Sequence, residues 1–172
     1  MTRDPLSDPE PLIRRVYAYV AYRIGDGPEA EDVTSETFER ALRYRKSFDS
    51  RRGDPVAWLI GIARRCIADA VLPRPIPIAE VPESAAPGEL EGEALQRLEL
   101  AGALATLEER ERELLALRYG GDLTARQIGE LLEMKTNAVE VALHRALARL
   151  RAQLIGGHAR TGRTFLQQAA EA

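Results

Sequence analysis

The chain has 172 residues, 45% of them hydrophobic, enough to close a core in one ordinary domain or two small ones and too many for disorder throughout. Charged residues are abundant but nearly cancel, 24 Lys+Arg against 27 Asp+Glu, so any hint of nucleic acid must be local. The lone Cys66 excludes an internal disulfide, and with only His144 and His158 beside it no Cys/His zinc site can be assembled.

The opening MTRDPLSDPEP is polar and proline-rich, without the apolar run of a signal peptide. No stretch approaches the roughly 20 apolar residues that span a bilayer, so direct membrane insertion is not expected and a cytoplasmic protein is. Apolar residues at Ile13, Val16, Tyr17, Val20 and Ile24 recur at helical spacing until Gly25. Pro28 and the acids Glu29, Glu31 and Asp32 then suit a helix start, and Val33, Phe38, Ala41 and Leu42 continue a stripe to about Tyr44. Asp49 to Pro55 reads as a loop. A third helix carries Leu59, Ile62, Ala63, Cys66, Ile67 and Ala70 on one face and ends before Pro73.

Pro73, Pro75, Pro77, Pro82 and Pro87 forbid continuous helix, so residues 73–94 read as a flexible linker. It is acidic, with Glu80, Glu83, Glu89, Glu91 and Glu93 opposed only by Arg74 and, just beyond it, Arg97. A second block of residues 95–155 begins with Leu95, Leu98, Ala101, Leu104 and Leu107. The Glu- and Arg-rich run from Glu108 to Arg118 follows, and Gly120-Gly121 breaks it. Thr124 can cap a short helix with Ile128, Leu131 and Leu132; Thr136 can cap a long one with Val139, Leu143, Leu147, Leu150 and Leu154. Residues 156–172 read as a flexible tail after Gly156-Gly157. No strand pattern stands out, and the fold class expected is all-α: two small helical domains, residues 10–72 and 95–155, joined by the linker.

A short helix, a tight turn and a longer helix make the helix-turn-helix layout, in which the second helix enters the major groove. Opposite its leucine stripe that helix presents Asn137, Glu140, Val141, His144, Arg145, Ala148 and Arg151, side chains able to meet base edges and phosphates. An αα-hairpin that only packs has the same pattern. Gly129 falls where two such helices approach closely.

In the first block Arg40, Arg43, Arg45, Lys46, Arg51 and Arg52 form a basic patch near Tyr44, Phe48 and Trp58, followed by Arg64-Arg65. Cations interleaved with stackable rings suit single-stranded nucleic acid, although such rings commonly serve a core. Trp58 lies about a hundred degrees from the Leu59/Ile62/Cys66 stripe, at an edge of the helix. Nothing activates a nucleophile: His144 has no Cys, Ser or carboxylate at a motif spacing, and no phosphate-binding glycine loop occurs. No enzyme, cofactor or small-molecule substrate is expected.

Taken in order, EAEDVTSETFERALR (29–43), FDSRRGDPVAWLIGIARRCIADA (48–70) and LATLEERERELLALRYGGDLTARQIGELLEMKTNAVEVALHRALARLR (104–151) resemble the sigma-70 family of bacterial transcription initiation factors, in its extracytoplasmic-function (ECF) group. The three segments resemble region 2.2, regions 2.3 and 2.4, and region 4 of that group. The resemblance implies that Asp32, Glu36, Arg40 and Arg43 dock on the clamp helices of the largest subunit of core RNA polymerase, region 4 meeting its flap. It implies that Arg51, Arg52, Trp58, Arg64, Arg65 and Asp69 bind promoter DNA at the minus-ten element. Arg126, Lys135, Thr136, Asn137, Glu140, Val141, His144 and Arg145 would bind the minus-thirty-five element. An anti-sigma factor is a further implied partner.

The sequence departs from the family pattern in places. Glu140, Val141 and Ala142 stand where basic, small polar and basic residues are usual, so fewer phosphates can be neutralised. Ser35 replaces a usual Gln, and VLPRPIP follows the third helix in place of a basic string. A helix-turn-helix regulator working without polymerase is the alternative, and it has no need of DVTSETFERALR or of arginines beside Trp58.

Overall fold

The computed structural model describes residues 4–51, 53–70 and 90–170, with backbone alone at 90, 91, 93 and 157–170. Among these the protein is all-helical: α1 (Pro9–Ile24), α2 (Pro28–Tyr44), α3 (Pro55–Ala70), α4 (Leu90–Ala105), α5 (Glu109–Leu115), α6 (Ala125–Leu132) and α7 (Thr136–Ala170). A 3-10 turn, Arg45–Ser47, follows α2, and a wide π turn, Ala116–Gly120, follows α5. Arg52 and the linker as far as residue 89 lie outside the described residues.

Proline opens each of the first two helices, where its missing N–H is no loss and its fixed φ suits the first turn. Between them Gly25 and Gly27 take φ of 97° and 135°, a region that side chains rarely adopt, and so reverse the chain within three residues. The three helices bury Val16, Tyr19 and Val20; Ala30, Val33, Thr34, Thr37 and Ala41; and Val56, Leu59, Ile60, Ala63, Cys66 and Ile67. The hydroxyls of Thr34 and Thr37 donate to the carbonyls of Ala30 and Val33 at 2.7 Å, so neither enters the core unpaired.

This core differs in detail from the periodic expectation. Ile13 and Leu42 are exposed, whereas Tyr19, Thr34 and Thr37 are buried. For Tyr19 the cause is a neighbour outside the first block, since α1 is covered on one side by α2 and α3 and on the other by the turn after α5; on α2 it is the packing against α1 and α3 that decides which residues are covered.

In the second block α4, α5 and α7 enclose Ala103, Leu104, Leu107, Leu115, Ala146 and Leu150. Arg112 ties α4 to α5 by donating to the carbonyls of Leu104, Ala105 and Leu107 at 3.0, 3.2 and 2.9 Å, where the end of α4 leaves carbonyls short of helical partners. Burial lowers the pKa of this guanidinium, yet it remains a cation at any ordinary pH.

Three boundaries differ from the sequence expectation. Helix α4 begins at Leu90, inside the segment assigned to the linker. Helix α7 begins at Thr136 itself, so that residue is the first helical position and not the cap before it. Its backbone also runs on through Gly156-Gly157 to Ala170, where a flexible tail was expected. A glycine costs a helix about 1 kcal/mol but keeps its N–H, so a pair weakens a helix without having to end it.

The two blocks share one core. Leu114, Ala116, Leu117, Leu123, Ile128 and Val139 belong to the same buried cluster as the apolar faces of α1 and α3.

Candidate nucleic-acid interface

The helix-turn-helix is built by three local devices. Thr124 and Gln127 form a reciprocal capping box at the start of α6: the Gln127 N–H donates to Thr124 Oγ1 at 3.2 Å, and the Thr124 N–H donates to Gln127 Oε1 at 2.8 Å. At the other end Glu133 takes a left-handed φ of 56°, and the Met134 N–H returns to the Gly129 carbonyl at 2.8 Å. A Cβ at Gly129 would stand 2.6 Å from the Met134 carbonyl oxygen, so only glycine lets the turn close.

Beyond this turn α7 buries Val139, Ala146 and Leu150 and leaves Thr136, Asn137, Glu140, Val141, His144 and Arg145 exposed, with Lys135 exposed just before its first residue. Ala148 and Arg151 are exposed as well. Arg126 on α6 is exposed and paired with Glu130 one turn on, at 3.0 Å. Arg149, also on α7, is held by Glu111 of α5 at 2.7 Å and so braces the helix.

In the first block the predicted residues divide. On α2, Asp32 and Arg43 are exposed. Glu36 and Arg40 pair with each other, and Arg40 Nη1 donates to Asp69 Oδ2 on α3 at 2.8 Å. Hydrogen bonds to Asp69 and then Glu36 raise the Arg40 pKa further. The structure thus joins a residue expected to touch polymerase to one expected to touch DNA, as a clasp between α2 and α3.

Trp58 is half-buried against the core, its ring 5.4 Å from that of Phe48 and tilted by 56°. Arg51 is exposed and chelated by the Asp49 carboxylate through two 3.0 Å bonds. Arg65 is exposed, whereas Arg64 turns toward the second block. Its Nε donates to Glu113 Oε1 of α5 at 3.0 Å, and its Nη1 reaches the Leu131 carbonyl of α6 at 3.4 Å.

Sequence reasoning missed the group around Glu113. This buried carboxylate accepts from the Tyr19 hydroxyl at 3.0 Å and from Arg64, and meets Arg23 Nη1 at 2.6 Å in an ion contact without hydrogen-bond alignment. In the sequence Glu113 is one acid in a run of alternating charge, with no local sign that its partners lie on α1 and α3. Cys66 is buried in the first block, and burial raises its thiol pKa.

Among the described residues no helix is long and apolar enough to cross a membrane. The chain matches two family descriptions, Sigma-70 region 2 over residues 10–72 and Sigma-70, region 4 over residues 97–150. It is 35% identical to the ECF RNA polymerase sigma factor ShbA of Streptomyces griseus, over 88% of this chain and 86% of that one. It is 32% identical to BldN of Streptomyces coelicolor, over 84% of this chain but only 58% of BldN, and 32% identical to SigD of Mycobacterium tuberculosis, over 89% and 76%.

Two solved structures share the fold. The sigma factor RpoE of Bartonella quintana, in complex with the anti-sigma factor NepR, aligns with a TM-score of 0.66 at 20% identity, over 83% of this chain and 91% of RpoE. CnrH, in complex with the cytosolic domain of CnrY, aligns at 0.60 and 23% identity, over 84% and 82%. By its two family matches and its curated relatives, the chain belongs to the ECF group of the sigma-70 family of RNA polymerase sigma factors.

Proposed function

We propose that this chain is a dissociable promoter-specificity subunit: it binds core RNA polymerase, directs it to particular promoters and melts the minus-ten element, with no catalysis of its own. Residues 10–72 serve docking and minus-ten recognition, and residues 95–155 serve the minus-thirty-five element. The observation that carries this reading is the presence in one chain of an open recognition face on α7 and a region 2 block with exposed charges on α2 and a ring at the edge of α3. A regulator acting without polymerase requires only the first.

Asp32 and Arg43, with Glu36 and Arg40 behind them, give α2 a charged face suited to electrostatic docking on the polymerase clamp helices. Trp58 and Arg65, with Arg51 on the preceding loop, stand where an extruded base of the non-template strand can stack and its phosphates be neutralised. Stacking contributes roughly 1–3 kcal/mol per base, so binding energy can drive melting without ATP. On α7, Asn137 and Arg145 supply donors to base edges, Glu140 can accept from cytosine N4 and Val141 can contact a thymine methyl. The protein works in the cytoplasm, and an anti-sigma factor, such as the NepR bound to the RpoE of Bartonella quintana, is its expected antagonist.

The test is run-off transcription with purified core polymerase and a promoter library, comparing wild type with Trp58→Ala and Arg145→Ala. The first variant should lose open complexes and the second upstream-element preference. A chain that yields no polymerase-dependent start at any promoter refutes the reading.

A further inference from the structure

Between the C-terminal end of α1 and α4 lies a cavity of about 220 Å³. Tyr22 of α1 and Leu98, Leu100, Ala101 and Leu104 of α4 give it an apolar lining. Three guanidiniums, those of Arg23, Arg97 and Arg112, share this lining with one carboxylate, that of Asp26, which already accepts from the Tyr17 hydroxyl. Arg97 and Asp26 are exposed and mark the open side. An apolar cavity gathers cations only at a cost, because a charge taken from water needs a partner.

At Arg23 that partner is incomplete. Its side chain is only 10% exposed, yet neither Nε nor Nη1 has a hydrogen-bond acceptor among the described residues, and Glu113 meets Nη1 as an ion contact alone. A buried donor left in this state costs about as much as a lost hydrogen bond, so an acceptor arriving here is favoured. Arg112 carries the same surplus of positive charge: burial first and the Arg23 charge second lower its pKa, with Glu109 opposing them.

Size and charge narrow the occupant. An apolar void of about 150 Å³ takes up benzene, so one of about 220 Å³ takes roughly nine carbon-sized atoms. The Asp26 charge in the wall repels a phosphate dianion more than it repels a carboxylate. We propose that this cavity is a binding site for a small amphipathic carboxylate, its head held by Arg23 and Arg97 and its apolar body lying against α4. The carboxylate supplies the acceptors that the arginines lack, and the chain covers the half-buried leucines.

The test is isothermal titration calorimetry of the full chain with octanoate held below its micellar concentration, and with octanol and acetate as the apolar body and the charge taken singly. Octanoate should bind with a dissociation constant of roughly 0.1–1 mM and raise the melting temperature as occupancy rises. Octanol and acetate should each bind at least about tenfold more weakly. Arg97→Gln, at an exposed position, and Ala101→Leu, which fills the cavity, should each weaken octanoate about tenfold. Arg14→Gln, exposed on α1 and outside the cavity, should bind octanoate as wild type does. Equal affinity for octanoate and octanol, or a loss in Arg14→Gln as large as that in Arg97→Gln, overturns the site. So does undiminished octanoate binding in Arg97→Gln or in a folded Ala101→Leu.

Discussion

Arg64 of α3 donates to Glu113 of α5 across 3.0 Å, and so neutralises a buried carboxylate that belongs to the other helix block. Around this pair Tyr19 and Arg23 complete the shell of Glu113, whose side chain is only 10% exposed. Removing one partner of such a group costs more than the pair itself contributes, because the survivors are left buried and unpaired. Glu113→Ala strands two guanidiniums and a phenol, though Arg64 is partly solvated and can recover some hydration. We expect a loss of about 2–4 kcal/mol in urea unfolding, with Glu113→Gln retaining part of it. An alanine variant within about 0.5 kcal/mol of wild type would show that the shell is not structural.

Tyr19 gives the same shell a pH dependence. Burial first, and the Glu113 charge second, push its phenol well above the ordinary value of 10. The folded chain thus holds this proton more tightly than the unfolded chain does. The contribution is complete below about pH 10 and is lost as the pH rises beyond it, at up to about 1.4 kcal/mol per pH unit. Tyr19→Phe has no proton to lose, so between about pH 9 and 11 its unfolding free energy should fall less steeply than that of wild type. Parallel slopes in the two proteins would rule this out.

Gly129 is required by geometry, since its Cβ would sit 2.6 Å from the Met134 carbonyl oxygen inside the turn of the helix-turn-helix. Gly129→Ala forces α6 and α7 apart and should cost about 1–3 kcal/mol of thermal stability, with duplex binding by α7 weakened in parallel. Full stability and binding in this variant would mean that the turn has slack.

Glu140 places a negative charge on the exposed side of α7, where, if that side meets duplex as proposed, it would oppose the phosphates. Glu140→Lys should strengthen binding to promoter duplex and steepen the plot of log affinity against log salt by roughly 0.9, the value of one added phosphate contact. Anisotropy titrations across a salt series measure this. An unchanged slope would place Glu140 away from the backbone.

The helices were legible because period and punctuation are local. Val16, Val20, Val33, Leu59 and Cys66 fall on apolar faces that helical spacing alone picks out. Pro28, Thr124 and Gly129 mark starts and turns through constraints on their own backbone or that of near neighbours. The outer side of α7 was legible for the same reason, being the complement of its leucine stripe. Where periodicity erred, at Ile13, Leu42, Tyr19 and the two threonines of α2, burial was decided by how other helices pack on the element, and for Tyr19 by the turn after α5, far away in sequence.

By itself, then, the sequence determined the helical segments in all but their ends and the break between α4 and α5, together with a helix-turn-helix and a polar face on its second helix, since those follow from interactions within a few residues. Only the tertiary structure decided that the two blocks share a core, that Gly120 lies against the backbone of Tyr19, and that Arg64 turns to Glu113. Contacts between residues 49 or 94 positions apart leave no period in the chain, and a charge in a charged run carries no mark of the partner that will neutralise it.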